Sequence, residues 1–275
     1  MFYLIALCVI LFAFLWASWR VVGWVAQRRE HGLSKIARVL LTSCLATSLM
    51  VGVAFLWLTR SYHGDATAKR ALLSDDQVAV SPEEGGYLFD GPGEDTVLVF
   101  LPGAKVQAEA YAPLMHDLAA GGIDCLLVDP TFNIAFLAAS SLEDTVGRLS
   151  YDHLMMAGHS MGGVVAASYA AEHPKVTDAL VLLAAYPTDK VPDGIAFLSV
   201  YGTQDTVLNP DAYDNARNLW PSDARQLVIA GGNHAGFGCY GRQTRDGEAL
   251  ITQDDQREQT VTAIIELARH IEGDS

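Results

Sequence analysis

Disulfides, metal-ligand spacings and repeats are all missing from this sequence. Of its four cysteines, Cys8 and Cys44 lie in long apolar runs, Cys125 lies in a short one, and Cys239 stands alone among loop residues. Neither a disulfide framework nor a metal site can be drawn from them. Basic charge is scarce where a polyanion binder would need it. Behind residue 64, twelve Lys and Arg face 31 Asp and Glu, whereas the first 64 residues hold six basic residues against one acid. So acidic a surface has no basic face with which to displace counterions from phosphates, which excludes nucleic acid as a partner. No internal repeat and no low-complexity tract is present.

What is present in excess is apolar residues. At 51% hydrophobic and a mean hydropathy of +0.21, the chain is too apolar for an ordinary soluble domain, and the excess lies at the front. Phe2 to Trp19 carries no charge, and neither does Val39 to Thr59. Each is long enough to cross a bilayer as a helix, which takes about 20 residues. Trp16, Trp19, Trp24 and Trp57 sit toward the segment ends, where amphipathic rings settle at headgroups. A cleaved signal peptide would need a basic start and a shorter apolar run. Between the spans, Arg28, Arg29, Lys35 and Arg38 face only Glu30. The positive-inside rule puts this loop in the cytoplasm and both ends of the chain outside. The expected organisation is a two-helix transmembrane anchor over 1–63, a polar linker over 64–80 and a catalytic domain over 81–275. The expected location is the cell membrane, with that domain extracytoplasmic.

The outer part alternates short apolar runs with helix-length segments. The runs are "TVLVFL" (96–101), "DCLLVD" (124–129), "HLMMAG" (153–158), "DALVLLAA" (178–185), "AFLSVYG" (196–202) and "RQLVIAG" (225–231). Runs without polar alternation are strands buried on both faces, and helices between them imply an α/β fold with a mostly parallel sheet covered on both sides. Ala108 to Ala120 reads as a helix closed by Gly121-Gly122, and Met161 to Glu172 as one stopped by Pro174. Thr252 and Asp255 form a capping box for a last helix whose Val261, Ile264, Ile265, Ala268 and Ile271 share one face.

In "AGHSMGG" the third run passes straight into a helix through Gly158, His159, Ser160, Met161 and Gly162, a G-x-S-x-G pattern in its strand-turn-helix context. A residue at the tip of so tight a turn sits in strained backbone, and the flanking glycines remove side chains that would collide. A serine there is a candidate nucleophile, which needs a base and an acid that orients the base. Asp205 follows the run "AFLSVYG" and His234 follows "RQLVIAG", in the order Ser, Asp, His. Both land at the same sheet edge as Ser160. Asp189, one strand earlier, is the alternative acid, while His173 and His270 lie at or in helices. For the oxyanion, Met161 offers the amide after the nucleophile. The loop "FLPGAKV" offers a second, from Ala104 or else Lys105.

The run "FLPGAKVQAEAYAPLMHDLAAGGIDCLLVDPTFNIAFL", the elbow "AGHSMGGVVAASYA", "LVLLAAYP", "VYGTQDTV" and above all "GGNHAGFGCYGRQ" with "DGEALITQDDQREQTV" resemble the alpha/beta hydrolase fold-5 family over about residues 78 to 272. The resemblance implies an α/β-hydrolase fold and a serine hydrolase with Ser160, Asp205 and His234 as its triad. One departure is Pro102, where many members of the superfamily carry His before the oxyanion glycine. No cofactor and no metal is expected. "AAYPTDKVPDGIAFLSV" leaves no room for a lid domain. Phe132, Asn133, Phe136 and Leu137, with Phe237 and Tyr240 beside the histidine, are candidate walls for a small-molecule or lipid-like acyl substrate. The leading function is a membrane-anchored hydrolase of carboxylic esters. The alternatives are an envelope acyltransferase or a serine peptidase on the same triad, and a non-catalytic binding module on the same fold.

Overall fold

The computed structural model describes residues 2–27, 34–93 and 95–273. The chain divides into two units, 1–60 and 61–275.

In the first unit, α1 (Phe2–Gln27) and α2 (Lys35–Thr59) contact one another. Ser34 caps α2 by accepting from the Ala37 N–H at 3.2 Å. The Arg38 guanidinium lies 5.3 Å from the Trp19 ring centre. Among the described residues one helix, α2, is long and apolar enough to cross a membrane. Its apolar side chains, among them Leu40, Val51, Leu56 and Trp57, stand exposed. An exposed apolar surface of this kind marks a site of contact with lipid or protein. Much of the first expected span, the side chains of residues 2–12, lies outside the described residues, as do 28–33 with most of the basic loop.

The second unit is built on one eight-stranded sheet. Its strands are β1 (Ala79–Glu83), β2 (Gly86–Asp90), β3 (Thr96–Leu101), β4 (Asp124–Val128), β5 (His153–His159), β6 (Ala179–Leu183), β7 (Ala196–Gly202) and β8 (Arg225–Ile229). The order is β1-β2-β4-β3-β5-β6-β7-β8, with β2 antiparallel to both neighbours and β4 to β8 and β3 all parallel. The strand period of two sorts the apolar runs between the faces. Leu98, Phe100, Met155, Ala157, Val181 and Val200 pack with α4 (Ala112–Ala120) and α8 (Gln253–Gly273). Val97, Val99, Leu101, Met156, Leu180 and Leu182 pack with α6 (Met161–Glu172) and with Leu142, the first residue of α5 (Leu142–Gly147). Both faces are therefore covered, as unbroken apolar runs require.

Residues 64–80, expected as a linker, belong instead to the folded unit. Asp65 caps the short α3 (Ala66–Arg70), accepting from Thr67 and Ala68 N–H at 2.8 and 3.0 Å. Ala68 and Val78 are buried in the core. The polar letters of this stretch are capping and turn residues, which look like linker composition until their partners are known. The hairpin β1–β2 also had no counterpart among the six apolar runs, because both strands are only partly buried and interrupted by Pro82 and charged residues. The Thr252–Asp255 box is present and reciprocal, with Thr252 N–H donating to Asp255 Oδ2 and Asp255 N–H to Thr252 Oγ1, both at 3.1 Å.

Candidate active site

Ser160 stands between β5 and α6 at φ 52°, ψ −121°, far from the basins of an L-residue. Its N–H donates to Leu183 O at 2.9 Å, fastening the turn to β6. The glycines around it are sites of close approach. A Cβ on Gly158 would collide with the Gly162 backbone, and one on Gly162 would collide with the Leu101 carbonyl. The contact at Gly162 brings the end of β3 against the start of α6. Ser160 is itself partly exposed.

The acid and base meet through another glycine contact. A Cβ on Gly202 would strike the backbone of Gly232, so the loops after β7 and β8 run main chain against main chain. Gln204 N–H donates to Gly232 O at 2.8 Å across that contact. It delivers Asp205 to His234, with Oδ2 2.8 Å from Nδ1 and both side chains at most 2% exposed. Asp205 Oδ1 accepts from the Val207 and Leu208 amides, each at 2.8 Å, so the carboxylate is held at both oxygens. A proton on Nδ1 facing the carboxylate leaves the lone pair on Nε2, the tautomer a general base requires. Asp189 is exposed and bonded to the Thr188 hydroxyl, so of the two candidate acids Asp205 is the one paired with the histidine. His173 stacks on Tyr169 with ring centres 4.4 Å apart.

The 102–105 loop closes against the elbow. Among the described residues, the main-chain N–H groups of Ala104 and Met161 donate to no other group of the chain. The neighbouring amides are engaged, with Gly103 N–H donating to Tyr111 Oη at 3.1 Å and Lys105 N–H to Asn133 O at 2.7 Å. Such amides, one directly after the candidate nucleophile and one in the loop whose Pro102 carbonyl lies against Gly162, are of the kind that can stabilise a developing oxyanion. Pro102, where the superfamily often has His, is compatible with this arrangement because Tyr111 supplies the polar anchor for Gly103.

The proposed walls separate into two groups. Phe132, Phe136 and Leu137 are exposed on the loop after β4, and Asn133 joins them with a left-handed φ. Phe237 and Tyr240, by contrast, are buried. Phe237 lies 5.6 Å from the His159 ring, and Tyr240 lies 5.5 Å from Tyr62 and 6.4 Å from Tyr111. They form the floor under the loops and do not line an open cleft. Asp129 and Glu109 share a shallow polar recess with Phe132 and Asn133. Burial first, and the neighbouring Glu109 second, raise the Asp129 carboxyl above its usual range.

Sequence reasoning missed the residues that hold this edge together. His159 is buried under His234, ring centres 4.4 Å apart. Tyr111 Oη accepts from Gly103 and lies 2.8 Å from His159 Nδ1, to which it donates in the tautomer that leaves Nδ1 unprotonated. His159 Nε2, which then carries the hydrogen, is enclosed without a partner of good geometry. Burial first, and the adjacent His234 second, hold the His159 imidazole well below its ordinary pKa, so it is neutral. Behind His234, Asp246 accepts from the His234 and Ala235 amides at 3.3 and 2.8 Å. Gln256 binds both the N–H and the C=O of Asn233, at 3.0 and 2.9 Å. Asp246 and Gln256 lie in the segment that carried the family resemblance, which was the available signal. Among the described residues no group of His, Cys, Asp or Glu is arranged to hold a metal ion.

Comparison with known proteins agrees with this architecture. A protein of Mycobacterium phage D29 provisionally named as a non-heme haloperoxidase is 33% identical over 101 residues, which span 33% of this chain and 36% of that protein. The chain thus matches about a third of that relative's length. A dienelactone hydrolase from Anabaena variabilis superposes with a TM-score of 0.56 at 16% identity, covering 70% of this chain and 98% of that one. Mouse alpha/beta hydrolase domain-containing protein 10 gives 0.53 at 10% identity, covering 70% and 99%. At such identities the likeness is one of fold. The model of the alpha/beta hydrolase family matches residues 97–258, which contain every element from β3 through the start of α8. This chain belongs to the alpha/beta hydrolase family.

Proposed function

We propose that the protein is a membrane-anchored serine hydrolase of carboxylic esters, with Ser160 as nucleophile, His234 as general base and Asp205 as the acid that orients it. The observation that carries the reading is the buried Asp205–His234 pair at 2.8 Å, on the same sheet edge as a serine held in strained backbone at φ 52°. In this scheme His234 Nε2 takes the Ser160 proton as Oγ adds to the ester carbonyl. The oxyanion that forms is met by the Met161 and Ala104 amides, and the alcohol departs with the proton from His234. Water activated by the same imidazole then releases the acid. The twelve residues between β6 and β7 contain no lid, which suits an open site.

Two transmembrane helices, α1 and α2, would hold the unit at the cell membrane, with the catalytic unit outside; the apolar exposed surface of α2 supports this. The test is labelling in membranes with a fluorophosphonate. Wild type should be labelled and Ser160→Ala should lose both labelling and turnover of short aryl esters. Equal labelling of the two proteins would remove Ser160 from the mechanism.

A further inference from the structure

Three large apolar side chains stand in solvent at the catalytic edge. Phe132, Phe136 and Leu137 are 41%, 54% and 53% exposed on the loop after β4, and no residue from Thr131 to Ser141 is charged. Phe132 and Asn133 both adopt left-handed backbone, at φ 56° and 55°. A bulky side chain takes that conformation only when the surroundings impose it, and such residues cluster at functional sites.

This loop is joined by main-chain hydrogen bonds to the point where the chain enters the catalytic unit. Lys105 N–H donates to Asn133 O at 2.7 Å, Tyr62 N–H to Lys105 O at 2.6 Å, and Gln107 N–H to Tyr62 O at 3.0 Å. Tyr62 thereby forms a parallel bridge with Val106, immediately after the 102–105 loop. Only Arg60 and Ser61 lie between Tyr62 and Thr59, the last residue of α2. Three extended residues reach about 10 Å. If α2 is in a bilayer, the chain is too short to lift Tyr62, and with it the site loops, far from the headgroups. The basic residues Arg60, Lys69 and Arg70 follow the helix end, and residues 131–141 carry no charge of their own, with Asp129 and Glu109 in the recess beside Phe132 and Asn133.

We propose that the Phe132–Leu137 loop rests in the interface of the bilayer that holds α2, and that the substrate is an amphiphilic ester taken from that leaflet, not a solute. Apolar side chains at such an interface bury to a depth of about 5–10 Å, which places the mouth of the site where an ester linkage between acyl chain and headgroup lies. The inference rests on the membrane-anchored hydrolase reading and adds to it the source of the substrate.

The test uses the full chain in phosphatidylcholine vesicles, in a Cys8→Ala, Cys44→Ala background. A nitrobenzoxadiazole probe is attached at Leu137→Cys or, as control, at Val176→Cys, an exposed position before β6 at the opposite sheet edge. Brominated lipid should quench the probe at 137 about threefold or more over that at 176. Phe136→Ser with Leu137→Ser should lower the turnover of a vesicle-borne long-chain aryl ester, relative to a water-soluble aryl acetate, by about tenfold. Equal quenching at the two positions in chains that resist alkaline extraction overturns the interfacial loop, and an unchanged ratio overturns the leaflet substrate. Release of the chain by alkali, or loss of fluorophosphonate labelling in the unmodified protein, would instead strike the anchored-hydrolase reading beneath.

Discussion

Replacing Tyr111 by Phe removes one oxygen and leaves the ring in place, so its cost can be worked from hydrogen bonds alone. Two groups lose their partner, the Gly103 N–H at 3.1 Å and His159 Nδ1 at 2.8 Å, both in buried contacts. Tyr111 is fully buried, so water cannot replace the hydroxyl. A buried polar group left without a partner costs about 1–3 kcal/mol, which makes Tyr111→Phe, with two such groups, worth about 2–6 kcal/mol of stability. In a unit of this size that is on the order of 5–25 °C in Tm. His159→Phe leaves one orphan, the Tyr111 hydroxyl hydrogen, whereas the double variant leaves only Gly103 N–H. The double variant leaves two fewer orphans than the two single changes together, and should therefore cost less than their sum by about 2–6 kcal/mol. Thermal and urea unfolding of the detergent-solubilised chain measure all four proteins. Additivity within about 0.5 kcal/mol would refute a Gly103–Tyr111–His159 chain. Because the same hydroxyl fixes the loop that carries Ala104, Tyr111→Phe should also lower kcat for an aryl ester while KM changes little.

The neutral, buried His159 makes stability depend on pH. Its folded pKa lies well below the ordinary 6.5, so as pH falls through 6.5 the unfolded chain takes up a proton that the folded one refuses. Stability should then fall with pH, by at most about 1.4 kcal/mol per unit from this group. His159→Phe should flatten the pH dependence of urea midpoints below 6.5, and an unchanged slope would count against the neutral imidazole. His234→Ala and Asp205→Asn should each remove most esterase activity, while Asp189→Asn is mild; the reverse ranking of the two aspartates in steady-state assays would move the acid by one strand. Asp246→Ala frees the two amides behind His234 and should lower kcat about 10–100-fold through misplacement of the ring, with circular dichroism unchanged. Protease added to intact cells or spheroplasts should digest the catalytic unit and spare a cytosolic control. Protection until lysis would invert the orientation.

The central sheet could be read from the sequence because its strands are buried on both faces, which leaves a run such as "TVLVFL" no polar residue to hide the signal. β1 and β2 could not, since each shows a partly exposed face and one includes Pro82. Residues 64–80 misled for a related reason. Asp65 and Asp75 look like solvated acids but accept main-chain N–H groups, and those bonds hold the Asp75 carboxyl below its usual range. In the site, chain order brought out Asp205 and His234 because each follows a parallel strand and must emerge at the same edge. Burial gave no such cue. Phe237 and Tyr240 stand beside the histidine in sequence but turn under the loops. His159, next to Ser160, is buried against Tyr111 and His234, whereas Ser160 stays partly exposed.

The backbone of Ser160 explains why these buried contacts are so dense. A residue at φ 52°, ψ −121° costs of order 1–3 kcal/mol over relaxed backbone, so the turn persists only if its surroundings over-determine it. They do so from three sides. β6 holds the Ser160 amide through Leu183 O, and the Leu101–Pro102 backbone presses on Gly162 so closely that no side chain fits. From beneath, His159 is held by Tyr111. Each of these supports also touches a group in the proposed chemistry. Leu101–Pro102 leads into the loop of Ala104, Tyr111 fixes Gly103 in that loop, and His159 lies against His234. The contacts that keep the serine strained are thus the same ones that set the proposed oxyanion loop and the proposed base around it, so relaxing any one of them should disturb activity before it unfolds the sheet.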